Sequence, residues 1–204
     1  MLGYTSAIAL RTGGTEVVLA RGAAENTTVF GGGVESVLGG GLAFETVVGN
    51  GGHVVVSDTA ETDSAMILSG GLLNVASGAI AIDTRLIGGT EALATGSLSS
   101  GTTTFAANAT DSTLSIAAGL MFNVSGFAAT DRMDFTDLKF GVYFKESFAG
   151  GLLTVHEGGL ADRITLFGQY VAAGFHFAAD GAGGTLVTYT QPTPAHTELA
   201  PSHT

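Results

Sequence analysis

Gly-Gly dipeptides begin at Gly13, Gly32, Gly51, Gly70 and Gly88, so successive intervals are 19, 19, 19 and 18 residues. A fixed period of this length marks a chain built from stacked copies of one small unit. Five positions after each mark stand Val18, Val37, Val56, Val75 and Leu93, and sixteen positions after the first four stand Val29, Val48, Ile67 and Leu86. All nine are branched and apolar, whereas the residues between them drift among Glu, Ala, Asn, Ser and Phe. Such columns arise when equivalent side chains of successive repeats touch one another, about 4.8 Å apart along a parallel ladder. The spacing therefore predicts a coil in which each strand pairs with its own copy on the next rung. The nine columnar residues fill its interior, and Gly13, Gly32, Gly51, Gly70 and Gly88 sit at corners where positive φ or the missing Cβ permits a tight turn.

A helical repeat is the competing reading, and glycine argues against it, since each one costs about 1 kcal/mol in a helix interior. The chain has 32 glycines in 204 residues, and no proline precedes Pro192, as a continuous ladder demands. Stretches such as "TEVVL", "HVVVS" and "LLNVA" have strand propensity. With 45% hydrophobic residues the chain can build a core. The expectation is an all-β parallel β-helix, or solenoid, with rungs of about 19 residues.

The order Gly-Gly-x-x-x-Val, a further glycine near position eight and Thr-x-Val near position fourteen is clearest in "TTVFGGGVESVLGGGLAFETVVGNGG". It resembles the strand-loop-strand repeat of AIDA-type autotransporter passenger domains over about residues 13–101. The resemblance implies a right-handed coil, export to the bacterial cell surface, and work in adhesion or aggregation. It also implies O-linked sugar on serines near glycine corners, a setting matched by Ser69 and Ser77 in "SGGLLNVASG". "SDTAETDSA" departs from the pattern by replacing the second glycine turn of its rung.

Beyond Thr104 the repeat fades, and ten of the twelve phenylalanines lie at or after Phe105. The expected organisation is a lead-in over 1–12, the Gly-Gly coil over 13–103, irregular rungs and an aromatic, β-rich C-terminal cap over 104–190, and a disordered Pro- and Thr-rich tail over 191–204. Residues 130–189, with "LFGQY" and "DGAGGTLV", resemble the C-terminal module of large secreted repeat proteins of alphaproteobacteria. That resemblance implies location and no chemistry.

The formal net charge is −11, with seven scattered cationic residues. This excludes the basic stripe that nucleic acid requires and disfavours anionic membrane surfaces. No apolar run approaches a membrane span, and "MLGYTSAIALRTGG" lacks the basic start of a signal peptide. No glycine is followed by lysine, so the glycine loops are corners and not phosphate cradles. Glu16 and Glu35 share one repeat position, and Glu45, Ser64 and Asp83 share another. Both columns read as solvated faces in preference to Ca²⁺ ligands, which makes Glu35→Ser a near-neutral change.

No catalytic residue, metal or cofactor is expected. Polysaccharide lyases and epimerases use the same scaffold, but they need a base and cations gathered in one groove. Within 13–103 only Arg21, Arg85 and His53 qualify, and they stand at different repeat positions. The function expected is a non-enzymatic, exported stalk, adhesin or self-assembling unit, secreted or held at the bacterial surface. Its expected partners are a second copy stacked on the N-terminal rungs and a surface glycan or host cell. A polysaccharide-binding or carbohydrate-active protein is the alternative.

Overall fold

The computed structural model describes residues 3–193. Its elements are β-strands apart from one 3-10 turn at Ala172–Gly174. The tail expectation over 191–204 thus falls mostly outside the described residues. Tyr4–Ser6 and Ala9–Leu10, within the stretch read as a lead-in, are the first two strands of the first rung.

One rung shows how the coil is made. Leu42–Phe44, Val47–Val48 and His53–Val56 are three short strands separated by corners. Each pairs in parallel with the strand 19 residues before it, as Thr28↔Val47 and Val34↔His53 show. Three parallel ladders result. The first holds six strands from Tyr4–Ser6 to Leu98–Ser100, and the other two continue into the C-terminal region. About seven turns stack in all.

Side chains alternate inward and outward along the strands of the regular rungs, such as Val34–Val37, His53–Val56 and Leu72–Val75, as a pleated ladder requires. Val18, Val37, Val56, Val75 and Leu93 form one inward column, and Val29, Val48, Ile67 and Leu86 another; none is more than 5% exposed. The first sheet turns only small side chains inward, including Ala24, Ala43 and Ala81, so it can approach the larger residues opposite. Toward the C-terminus the interior is filled instead by Phe105, Phe122, Phe127 and Phe135.

The glycine pairs have two separate jobs. At Gly51 the backbone has φ of +72°, and at Gly52 a Cβ would overlap the Val29 carbonyl oxygen. The first glycine of the pair turns the chain, and the second lets one rung lie against the one below. The 18-residue step is the loss of one residue at this corner. The register of 19 in Met66↔Arg85 gives way to 18 in Leu72↔Thr90 across Gly88-Gly89.

The coil ends where its ladder changes direction. Leu160–Phe167 still runs parallel to Met121–Ser125, but Leu152–Glu157 and Phe144–Ala149 add antiparallel strands beside it. On the third sheet Thr185–Tyr189 pairs antiparallel with Arg132–Phe135, and Phe175–Ala179 follows it. These strands meet over an aromatic cluster. Phe175 lies 5.0 Å from Phe148 and 4.9 Å from Tyr189, ring centre to ring centre.

Candidate functional site

Corners are the most exposed parts of each rung, and there are three of them. Ser69 is exposed beside Gly70 at one, and Ser77 is exposed beside Gly78 at another. The third corner carries Ala7, Asn26, Glu45, Ser64 and Asp83, all non-glycine residues with φ between 50° and 58°. Their N–H groups donate to the next rung, as Glu45 does to the Asp63 carbonyl and Ser64 to the Ile82 carbonyl at 2.9 Å each. The ladder therefore continues around this bend. Short polar side chains tolerate the left-handed backbone best, which explains the Asn, Ser and Asp in this column. Where "SDTAETDSA" lacks its glycine turn, Asp58 and Thr59 adopt the same backbone, with φ of 54° and 66°.

The outward faces between corners are rich in apolar side chains. Leu42 and Phe44, then Ile80 and Ile82, stand half-buried on the first sheet, with Glu61 and Asp63 on the rung between them. Val47, Met66, Leu68 and Ile87 do the same on the second sheet, and Val34, Val55 and Leu72 on the third.

The three groups that catalysis would need in one groove lie on different sides of the coil. Arg85 is on the second sheet, His53 on the third, and Arg21 at the corner after Thr15–Val18, with φ of 64°. His53 is taken up by Asn74 on the neighbouring rung, its Nε2 2.9 Å from the amide nitrogen. His176 is exposed in a strand whose flanking Phe175 turns inward.

The interior holds what the repeat columns did not disclose. Glu35 is wholly buried and so is Glu91, both in the column that elsewhere contains Val54, Leu73 and Leu114. The reading of Glu16 and Glu35 as a solvated face is therefore corrected: Glu35 points into the coil and Glu16 is half-buried beside it. Threonine hydroxyls meet these carboxyls. Thr84 donates to Glu91 Oε1 at 2.8 Å and Thr103 to Oε2 at 3.0 Å, while Thr46 donates to Glu35 Oε2 at 3.1 Å. Burial pushes the Glu91 carboxyl up to about 7, against the opposing pull of its two threonines. Burial, with the charge of Glu16 added, pushes Glu35 up to about 7 as well. A sequence signal existed in the Thr27, Thr46, Thr84 and Thr103 positions, which supply a hydroxyl column along one inner corner.

Carboxylates also fasten the last rung to the cap. Asp162 Oδ1 accepts from the Leu120 N–H at 2.7 Å, and Asp137 Oδ2 from the Ala118 N–H at 3.3 Å. Burial raises the Asp162 carboxyl to about 6. Two residues from the C-terminal region thus hold the turn 117–120, which follows the final regular rung.

No family model and no curated protein matches the chain. Among solved structures it is similar to the crystal structure of a TibC-catalysed hyper-glycosylated fragment of TibA spanning that protein's residues 55–350. Identity is 24% and the TM-score 0.46, over 63% of this chain and 54% of that fragment. The chain thus spans about half the length of the solved fragment it matches.

Proposed function

We propose that this chain is an exported, non-enzymatic β-solenoid that works by contact along its sides, as a surface stalk, adhesin segment or self-assembling unit. The observation that carries this reading is the outward apolar patch of Val47, Met66, Leu68 and Ile87 on the second sheet, unbroken from rung to rung, with the pairs Leu42/Phe44 and Ile80/Ile82 on the first sheet standing either side of Glu61 and Asp63. Contiguous apolar rows on a surface mark contact sites. The repeat's resemblance to AIDA-type passengers supports a secreted or cell-surface setting. Ser69 and Ser77 are its proposed sugar acceptors, and an intact mass equal to the bare chain from the native host removes that part.

The proposed partners are a surface glycan or host cell and a second copy of the chain. Tyr4–Ser6, Ala9–Leu10 and Thr15–Val18 are terminal strands of their sheets among the described residues. Another copy can extend the ladder there through backbone hydrogen bonds. Val17 faces outward and is 57% exposed, so Val17→Pro removes a ladder donor without touching the interior.

One experiment tests the reading: a glycan array and whole-cell adhesion with the purified chain, run beside a turnover assay on acidic polysaccharides. Adhesion without turnover is expected, together with a smaller light-scattering mass for Val17→Pro. Turnover abolished by Arg85→Ala or His53→Ala overturns it.

A further inference from the structure

Glu16 and Glu35 are direct partners on neighbouring rungs. Thr5 donates to Glu16 Oε1 at 2.5 Å, Thr27 to Glu16 Oε2 at 3.0 Å and Thr46 to Glu35 Oε2 at 3.1 Å. Four carboxylate and three hydroxyl oxygens therefore gather at the N-terminal end of the coil, from exposed Thr5 through half-buried Glu16 to buried Thr27, Glu35 and Thr46. The fourth carboxylate oxygen, Glu35 Oε1, is buried and has no hydrogen-bond partner, in a side chain that is 0% exposed. A buried carboxylate oxygen left unpaired is costly, and charged neighbours of like sign add to the cost. Among the described residues the one ion pair joins Arg132 to Asp111, many rungs away.

We propose that Glu16 and Glu35 bind one Ca²⁺ ion between their rungs, with Glu35 Oε1 and the Glu16 carboxylate as its anionic ligands and the threonine hydroxyls completing the shell. The donors are all oxygen, which suits a hard cation and not zinc. Two carboxylates balance a divalent charge. Calcium accepts six to eight oxygens in flexible geometry, whereas magnesium demands a near-ideal octahedron. No three His, Cys, Asp or Glu side chains converge among the described residues, so the hydroxyls are integral to the site. An ion has a way in, because Glu16 is half-buried and lines an open recess of about 380 Å³ with Thr5, Val18 and Ala23.

Glu91 is the internal control. It occupies the same column, but Thr84 and Thr103 satisfy both of its oxygens, and its neighbours in the column are Leu73 and Leu114. It has neither an unpaired oxygen nor a second acid.

The whole chain is first stripped with chelator, then titrated with CaCl₂ by calorimetry at about pH 8 and melted with and without millimolar Ca²⁺. One ion per chain and a melting temperature several degrees higher are expected, since a ligand bound only by the folded state stabilises it. Glu35→Gln and Glu16→Gln lose both signals, and Glu91→Gln keeps both. If Glu35→Gln does not fold, Glu16→Gln at the more exposed position carries the test. A melt that responds to pH but not to Ca²⁺ means that the two acids share a proton, and overturns the site. Calcium binding that survives Glu16→Gln overturns it too.

Discussion

The repeating coil and the C-terminal cap solve the same problem by opposite means. In the coil each rung buries a few aliphatic side chains, and stability comes from touching the same residues above and below, as Val48 touches Val29 and Ile67. In the cap a one-off cluster of Phe148, Phe175, Tyr170 and Tyr189 is locked by ring contacts that have no counterpart among the regular Gly-Gly rungs. Repetition distributes stability along the axis, whereas the cap concentrates it in a few rings. Damage in the coil should therefore spread to its neighbours, and damage in the cap should stay local.

The largest expected effect is on the coil. Ile67→Asp places a carboxylate in a fully buried position whose ladder partners, Val48 and Leu86, are both apolar. We expect a loss above about 4 kcal/mol, seen as loss of the cooperative melt. Phe175→Ala follows, at about 3 kcal/mol. Hydrogen exchange should then rise in 144–189 while the early rungs stay protected. Exchange rising equally in both regions breaks the contrast.

The next effect sharpens the picture of the coil interior. The Glu91 carboxyl is raised from 4.5 to about 7 in the folded chain. Its stabilising share is full below pH 4.5 and lost as pH rises through about 7, up to about 3 kcal/mol. Melting temperature should fall between pH 5 and pH 9, and Glu91→Gln should flatten that fall, with Glu35 and Asp162 supplying the remainder. A melt insensitive to pH in this range would show that the acid is solvated. The smallest effect is a gain. Thr59 is β-branched yet has φ of 66°, so Thr59→Gly should raise stability by roughly 1 kcal/mol in chemical denaturation.

These outcomes also mark what could be read from the sequence. The period, the Val and Ile columns and the Gly-Gly corners were legible because each repeats, and repetition separates a structural demand from chance. Glu35 was not. Its neighbour Glu16 made the position look consistently polar, and nothing local shows that a strand's second residue faces inward. The register could be fixed only with Val18 and Val37, which stand two places further along and share the same face. Taking those two columns together with period-two alternation would have placed both acids inside. The cap was legible as aromatic and β-rich, but the reversal to antiparallel pairing was not, since no periodic signal carries strand direction there.

The corner at Asn26, Glu45, Ser64 and Asp83 has a mechanical consequence. Because the backbone hydrogen bonds run on through this bend, a rung is held to the next by a nearly continuous seam. A pull along the axis loads that seam all at once, whereas a pull on one loose end opens it bond by bond. Tethered by its termini and stretched, the chain should lengthen in discrete jumps of about 60 Å, the contour of a rung less the ladder spacing it leaves. Each jump would release 19 residues, so the molecule would behave as a extensible tether that yields one coil at a time under load.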